Sequence, residues 1–213
     1  MTPDQAINRR VLDVADLPAI GFDYKSPLWW GNALLLFIET AMFGILIAIY
    51  FTVAMNTNPF PPPRVDRLPV IYNAVPGLTL PVIGYAILLV SLIPGILLDK
   101  AARKRKAGAV KVLVLITLAF NLAAIIVRYY EFDSLHFKWN DNAYGSITWM
   151  ILGMHMLHLF VMICEDGYLA VWTFKNELDD KHALDLTVMA VYWYWIVAMW
   201  TVMFPILYIY PRF

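Results

Sequence analysis

The sequence predicts an all-α integral membrane protein, a bundle of five transmembrane helices, and three observations carry that reading. Of the 213 residues, 61% are hydrophobic, and the mean hydropathy of +0.64 lies far above that of a soluble domain. Five apolar runs reach about 18 residues or more, the length that crosses a hydrocarbon core of roughly 30 Å. Trp29, Trp30, Tyr72, Trp139, Tyr144, Trp172, Tyr208 and Tyr210 fall near the ends of those runs, where amphipathic rings favour the interface. Backbone groups find no partners in lipid, so runs this long are helices; barrel strands would be shorter and alternating.

Residues 1–28 mix Arg9 and Arg10 with Asp4, Asp13, Asp16 and Asp23. They lack a short apolar core with a small-residue cleavage site, so they read as a cytoplasmic segment without a signal peptide. The first span, 29–55, contains "LLLFIETAMFGILIAIYF", almost pure hydrocarbon apart from Glu39. It stops at "NTNPFPPPRVDRLPVIYNAVPG", whose prolines impose extended or turn backbone and make an ordered external loop. The second span, 77–98, carries Pro81 and Pro94 and is expected to kink there. After the basic "DKAARKRKAGAVK" loop, the third span, 110–128, closes with Arg128 and Glu131 at the outer face, where an ion pair of small worth is expected.

The fourth span, 146–172, holds His155, His158 and the single cysteine, Cys164, which reads as a small buried apolar residue and excludes an intramolecular disulfide. Glu165 and Asp166 follow about eighteen apolar residues and are expected to emerge at the cytoplasmic interface. The fifth span, 186–210, contains "VYWYWIVAMW", read as packing surface. There is no internal repeat, Gly-rich phosphate loop, CxxC pair or soluble domain, so residues 29–213 are essentially the membrane bundle. Eleven of the sixteen Lys and Arg residues lie in the N-terminal segment, the basic loop and residues 173–185. The other face has five, which puts the N-terminus in the cytoplasm and the C-terminus outside.

Few ionisable residues fall within the hydrocarbon, and each costs roughly 2.5–3.5 kcal/mol when charged near a helix centre. They are Glu39, His155 and His158. Counting about 1.5 Å per residue from the flanking aromatics puts Glu39 and His155 at similar depth near the midplane, so a Glu–His contact is geometrically allowed. The two histidines are three apart on one helix face, with Gly145 and Gly153 expected to admit a close neighbouring helix. Three readings compete: a metal or haem site, poorly served by two histidines on one turn; a proton relay through a protonatable Glu39; and a structural hydrogen bond that holds helices or a lipid in place. The third is favoured.

The stretch "YGSITWMILGMHMLH" resembles the signature of the haem-copper oxidase subunit III family, in which YGS is followed after six residues by Gly-x-His-x-x-His. Tyr144, Gly145, Ser146, Gly153, His155 and His158 match without a gap. "RYYEF" is similar to the family's Gln-x-x-Glu-aromatic helix ending, with Glu131 in place and Arg128 replacing the glutamine. "FIETAMFG" resembles its opening Ser-Glu-x-x-x-Phe-Gly, carrying Glu39, Phe43 and Gly44, although a one-residue shift would set Thr40 against the acid. In the last helix Tyr192, Trp193 and Trp200 keep the pattern, while Tyr194 and Ala198 replace a histidine and an aspartate. The resemblance covers the chain from about residue 26 and fits the family's five common helices, without the two extra N-terminal helices of longer members.

The resemblance implies a non-catalytic subunit III of a respiratory haem-copper oxidase of aerobic electron transport. Such a subunit packs against and stabilises catalytic subunit I, contacts the other subunits, binds phospholipid and assists proton uptake. It implies no haem, copper or other metal on this chain, those cofactors residing in the partner catalytic subunit, and no catalytic residues here although the complex is an oxidoreductase. Membrane lipids are expected partners and nucleic acid is not; Trp29, Trp30 and Glu39 are the lipid-binding candidates. The location expected is the cytoplasmic (inner) membrane of a prokaryote, with the mitochondrial inner membrane second. Two alternatives remain: an accessory subunit of a nitric oxide reductase or another divergent respiratory complex, suggested by the altered last helix, and an independent proton or solute transporter built on Glu39 and the histidines.

Overall fold

The computed structural model describes residues 21, 23–63, 65, 68 and 70–213. Most of the N-terminal segment, with Arg9, Arg10, Asp4, Asp13 and Asp16, lies outside the described residues, as do Arg64 and Arg67 of the first connector. Five helices long and apolar enough to span a membrane make up the fold: α1 (Pro27–Met55), α2 (Thr79–Arg103), α3 (Ala107–Ser134), α4 (Ala143–Lys175) and α5 (Asp180–Phe204). The chain is a membrane protein, as its hydropathy predicts. The observed helices run a few residues past most of the expected bounds, because caps and exposed polar turns extend beyond the apolar runs.

Local chemistry sets three of the starts. Ser26 accepts the N–H of Leu28 with Pro27 in the first turn of α1; Asn142 accepts the N–H of Gly145 at 2.7 Å; Asp179 accepts that of His182 at 2.8 Å. Each satisfies one of the donors that a helix start leaves free. Asp179 lies outside the spans, and the His182 N–H holds its carboxyl below the usual range. Pro81 falls in the first turn of α2, where no N–H is owed, so only Pro94 interrupts the hydrogen-bond ladder inside that helix. At Pro205, α5 widens into a π-helical turn, Pro205–Ile209.

Helices α4 and α5 form the centre and carry most of the buried residues. The α2–α3 hairpin lies on one side, α2 against α5 and α3 against α4, while α1 leans on α4 and α5 from the other. The short α2–α3 turn is tied to the α4–α5 turn by Arg105, which donates to the Asp179 carbonyl at 2.9 Å and pairs with Asp180 at 2.7 Å. Helix α1 buries only Phe43, Tyr50 and Ala54, a single stripe, and leaves Phe37, Ile38 and Ile45 exposed. At the far end Tyr50, Phe60, Tyr144 and Tyr210 interlock with ring centroids 5.2–6.4 Å apart, so this part of the first connector is ordered as expected. Tyr144 and Tyr208 are 1% exposed and belong to the core, not to an interfacial belt.

Candidate functional site

Glu39 and His158 come together, and His155 does not join them. The Nε2 of His158 is 3.4 Å from Oε2 of Glu39, linking α4 to α1. His158 Nδ1 is 2.6 Å from the Met154 carbonyl, which only accepts, so Nδ1 carries a proton and Nε2 faces the acid. The rings of Phe43, Trp195 and Tyr192 pack around His158 at 5.5, 5.1 and 6.3 Å between centroids, all tilted against the imidazole. Trp195 Nε1 also donates to Thr40 Oγ1 at 2.8 Å, a second tie between α1 and α5. Within the chain Glu39 is only partly covered: its side chain is 24% exposed, against 7% for His158, because α1 is packed on one side only.

Three residues apart means about 60° of divergence around a helix, enough to give the two histidines different neighbours. His155 donates from Nε2 to the Ile196 carbonyl at 3.2 Å, and its Nδ1 is 3.5 Å from Arg128 Nη2, so both nitrogens face protein partners. Arg128 pairs with Glu131 at 2.7 Å, and its guanidinium lies 3.6 Å above the Trp200 ring. Tyr208 donates its hydroxyl to the other Glu131 oxygen. The sequence reading of a minor ion pair at the outer face is therefore corrected. Arg128 and Glu131 are 3% and 1% exposed, buried because α5 and its π turn cover them.

Other expectations also need correction. Asp166 is fully buried and bonded to Asn121 of α3, whereas its neighbour Glu165 is exposed. Cys164 is exposed on the bundle surface. A Cβ at Gly145 would clash with the Lys138 carbonyl, so that glycine admits its own preceding turn and not a helix, while a Cβ at Gly153 would meet nothing within 4 Å. The YGS tripeptide builds the α3–α4 turn: Tyr144 packs on Phe137 at 4.9 Å, Gly145 meets the Asn142 cap, and Ser146 donates to the Trp139 carbonyl at 2.6 Å. Trp193 donates to Ser91 on α2 at 3.1 Å. Trp29 and Trp30 lie in the first turn of α1, about 14–15 Å along the axis from Glu39, so the three do not form one site.

A cavity of about 260 Å³ opens between α1, α4 and α5 below the Glu39–His158 contact, with Asn32, Glu165, Asp185 and Tyr192 in its walls. Asn32 is seven residues before Glu39 and Glu165 seven after His158. In antiparallel helices both lie two turns toward the same end on the same faces, so the cavity lies about 10 Å along the helices from the contact. Sequence reasoning missed the Trp195–Thr40 hydrogen bond and this cavity, since neither has a local signal.

The sequence profile of the family described as cytochrome c oxidase subunit III matches residues 21–212. Among its relatives, the "Probable cytochrome c oxidase subunit 3" of Nocardia farcinica is 25% identical over 212 residues, covering 97% of this chain and 96% of that protein. "Cytochrome c oxidase subunit 3" of Thermostichus vulcanus is 23% identical over 203 residues, 92% and 94% of the two chains. The "Heme-copper oxidase subunit I+III" of Aeropyrum pernix is 26% identical over 106 residues, 45% of this chain and 13% of that protein. With "Cytochrome c oxidase subunit 3" of Pylaiella littoralis the match is 26% over 98 residues and spans about a third, 34%, of the relative's length. Five membrane-length helices, the ungapped YGS to His-x-x-His stretch and a match over residues 21–212 agree: the chain belongs to the cytochrome c oxidase subunit III family.

Proposed function

We propose that this chain is the non-catalytic third subunit of a respiratory haem-copper terminal oxidase in the cytoplasmic membrane of a prokaryote, its N-terminus and basic loops on the cytoplasmic side. It stabilises the catalytic subunit I, which holds the haem and copper, and it retains phospholipid. The relative from Aeropyrum pernix, whose name joins subunits I and III, supports subunit I as the partner. The observation that carries the reading is the Glu39–His158 contact. It holds to the core a helix that buries only three residues and presents a broad apolar face outward. A helix so placed suits an interface with another subunit or with lipid.

The test is Glu39→Gln beside Glu39→Leu in the assembled complex. Gln keeps a hydrogen-bonding group toward His158, so assembly, lipid content and turnover-dependent inactivation stay close to wild type. Leu leaves the His158 Nε2 without a partner, speeds inactivation and weakens retention of lipid or subunit. If Leu were silent in all three, the structural role of Glu39 would be refuted. Oxygen against nitric oxide as acceptor of the purified complex, together with the identity of its catalytic subunit, separates the oxidase from a reductase.

The cavity beneath the contact favours a second role, proton supply. Glu165 and Asp185 in its walls lead past Tyr192 toward Glu39, a line of protonatable groups from one end of the bundle to its middle. A change in the pH profile of turnover in Glu39→Gln, with assembly intact, supports this role; an unchanged profile sinks it.

A further inference from the structure

On the outer side of α3 and α4, away from Glu39, two furrows run side by side. One, about 570 Å³, lies along Val112, Ile116 and Phe120 of α3; the other, about 480 Å³, lies along Leu118, Gly167 and Val171. Leu115 and Phe174 wall both and form the ridge between them. The lining is apolar and open, with Phe174 54% and Val112 59% exposed. Lys111 lines the first furrow and Lys175 the second. The Lys111 ammonium is 5.7 Å from the Phe174 ring centroid and Lys175 follows Phe174 directly, so one lysine stands at the basic end of each furrow, on either side of Phe174.

The neighbouring charges are mostly engaged. Arg103 pairs with Asp99, Arg105 with Asp180, and Asp179 with His182, while Glu177 follows Lys175 by two residues. Neither Lys111 nor Lys175 is in an ion pair among the described residues. Lys175 ends α4 and Lys111 lies in the second turn of α3, so both sit at interfacial depth at the basic end of the bundle.

We propose that this face binds one anionic phospholipid of the adjoining leaflet, with an acyl chain in each furrow and the phosphate between Lys111 and Lys175. Two chains on either side of a ridge match the double furrow, and the two uncommitted ammonium groups match a headgroup of negative charge at that depth. A transmembrane helix, about 10 Å across, would ride on the ridge and leave both furrows unfilled. The inference goes beyond the role proposed for Glu39 and does not depend on it, since the two sites lie on different helix faces.

The test uses the whole complex containing this chain, reconstituted into phosphatidylcholine vesicles that hold a minor fraction of phosphatidylglycerol with a photoactivatable acyl chain. Crosslinks are mapped by peptide, and tightly held lipid is counted by native mass spectrometry. The wild type is expected to retain about one phosphatidylglycerol, crosslinked near Leu115 and Phe174. The double variant Lys111→Gln, Lys175→Gln loses that preference over phosphatidylcholine severalfold, and Lys111→Arg, Lys175→Arg restores it. Lys175 is exposed and Lys111 half-buried, so assembly is checked by subunit content. Equal retention in the Gln variant, crosslinks spread evenly around the bundle, or crosslinks from these furrows to another subunit would each overturn the proposal.

Discussion

Glu131→Leu is the most informative single change, because the sequence makes Glu131 look superficial and the fold buries it. Arg128 and Glu131 are three apart on one helix, so their ion pair survives when the helices separate; what folding adds is a cover of Trp200, Tyr208 and His155. In the Glu131→Leu variant the folded state keeps a guanidinium that is 3% exposed, whose Nε already lacks a partner, and it strands the Tyr208 hydroxyl. Breaking a buried pair on one side costs roughly 3–5 kcal/mol. The Trp200 face still holds the cation, worth about 2 kcal/mol when desolvated, and keeps the loss toward the lower end.

For a chain of this size each kcal/mol shifts the midpoint by about 2–4 °C, so a fall of roughly 6–20 °C is expected in thermal unfolding of the detergent-solubilised protein. Arg128→Met alone is also destabilising, because it leaves the carboxylate buried with Tyr208 as its sole donor. The double variant Arg128→Met, Glu131→Leu removes both charges and should recover most of the loss. A double variant whose effect equals the sum of the two singles would refute the account, since it would mean that the two charges are not coupled.

Three further outcomes follow from particular contacts. Gly145→Ala drives a Cβ into the Lys138 carbonyl and should cost about 1–3 kcal/mol, whereas Gly153→Ala, with nothing within 4 Å, leaves the thermal midpoint unchanged. Trp195→Phe removes the hydrogen bond to Thr40 and should cost about 0.6 kcal/mol, a typical interhelical value in membranes, raising amide exchange in α1 more than in α4. The Asp179 carboxyl titrates below its ordinary range because the His182 N–H binds the charged form. Its capping contribution is therefore present above the unfolded value and fades as pH falls through the folded one. Amide exchange at the start of α5 should speed up in acid, and Asp179→Asn should abolish that dependence.

The local physics of the chain determined the number and place of the helices. A run of about 18 apolar residues has no other stable form in lipid, and Ser26, Asn142 and Asp179 mark three of the starts by capping them. The family was legible too, because Tyr144, Gly145 and Ser146 build a turn within a few residues of each other and His155 and His158 lie on one helix. Depth counting brought Glu39 and the histidines to one level, yet it could not choose between them. That choice depends on how α4 is rotated, and rotation is set by packing against α1, α3 and α5. The same rotation sends His158 to Glu39, sends His155 to Arg128, and buries Asp166 beside an exposed Glu165. Arg128 and Glu131 look like a surface pair until α5 folds over them, because burial is a property of what covers a residue and not of its position along its own helix.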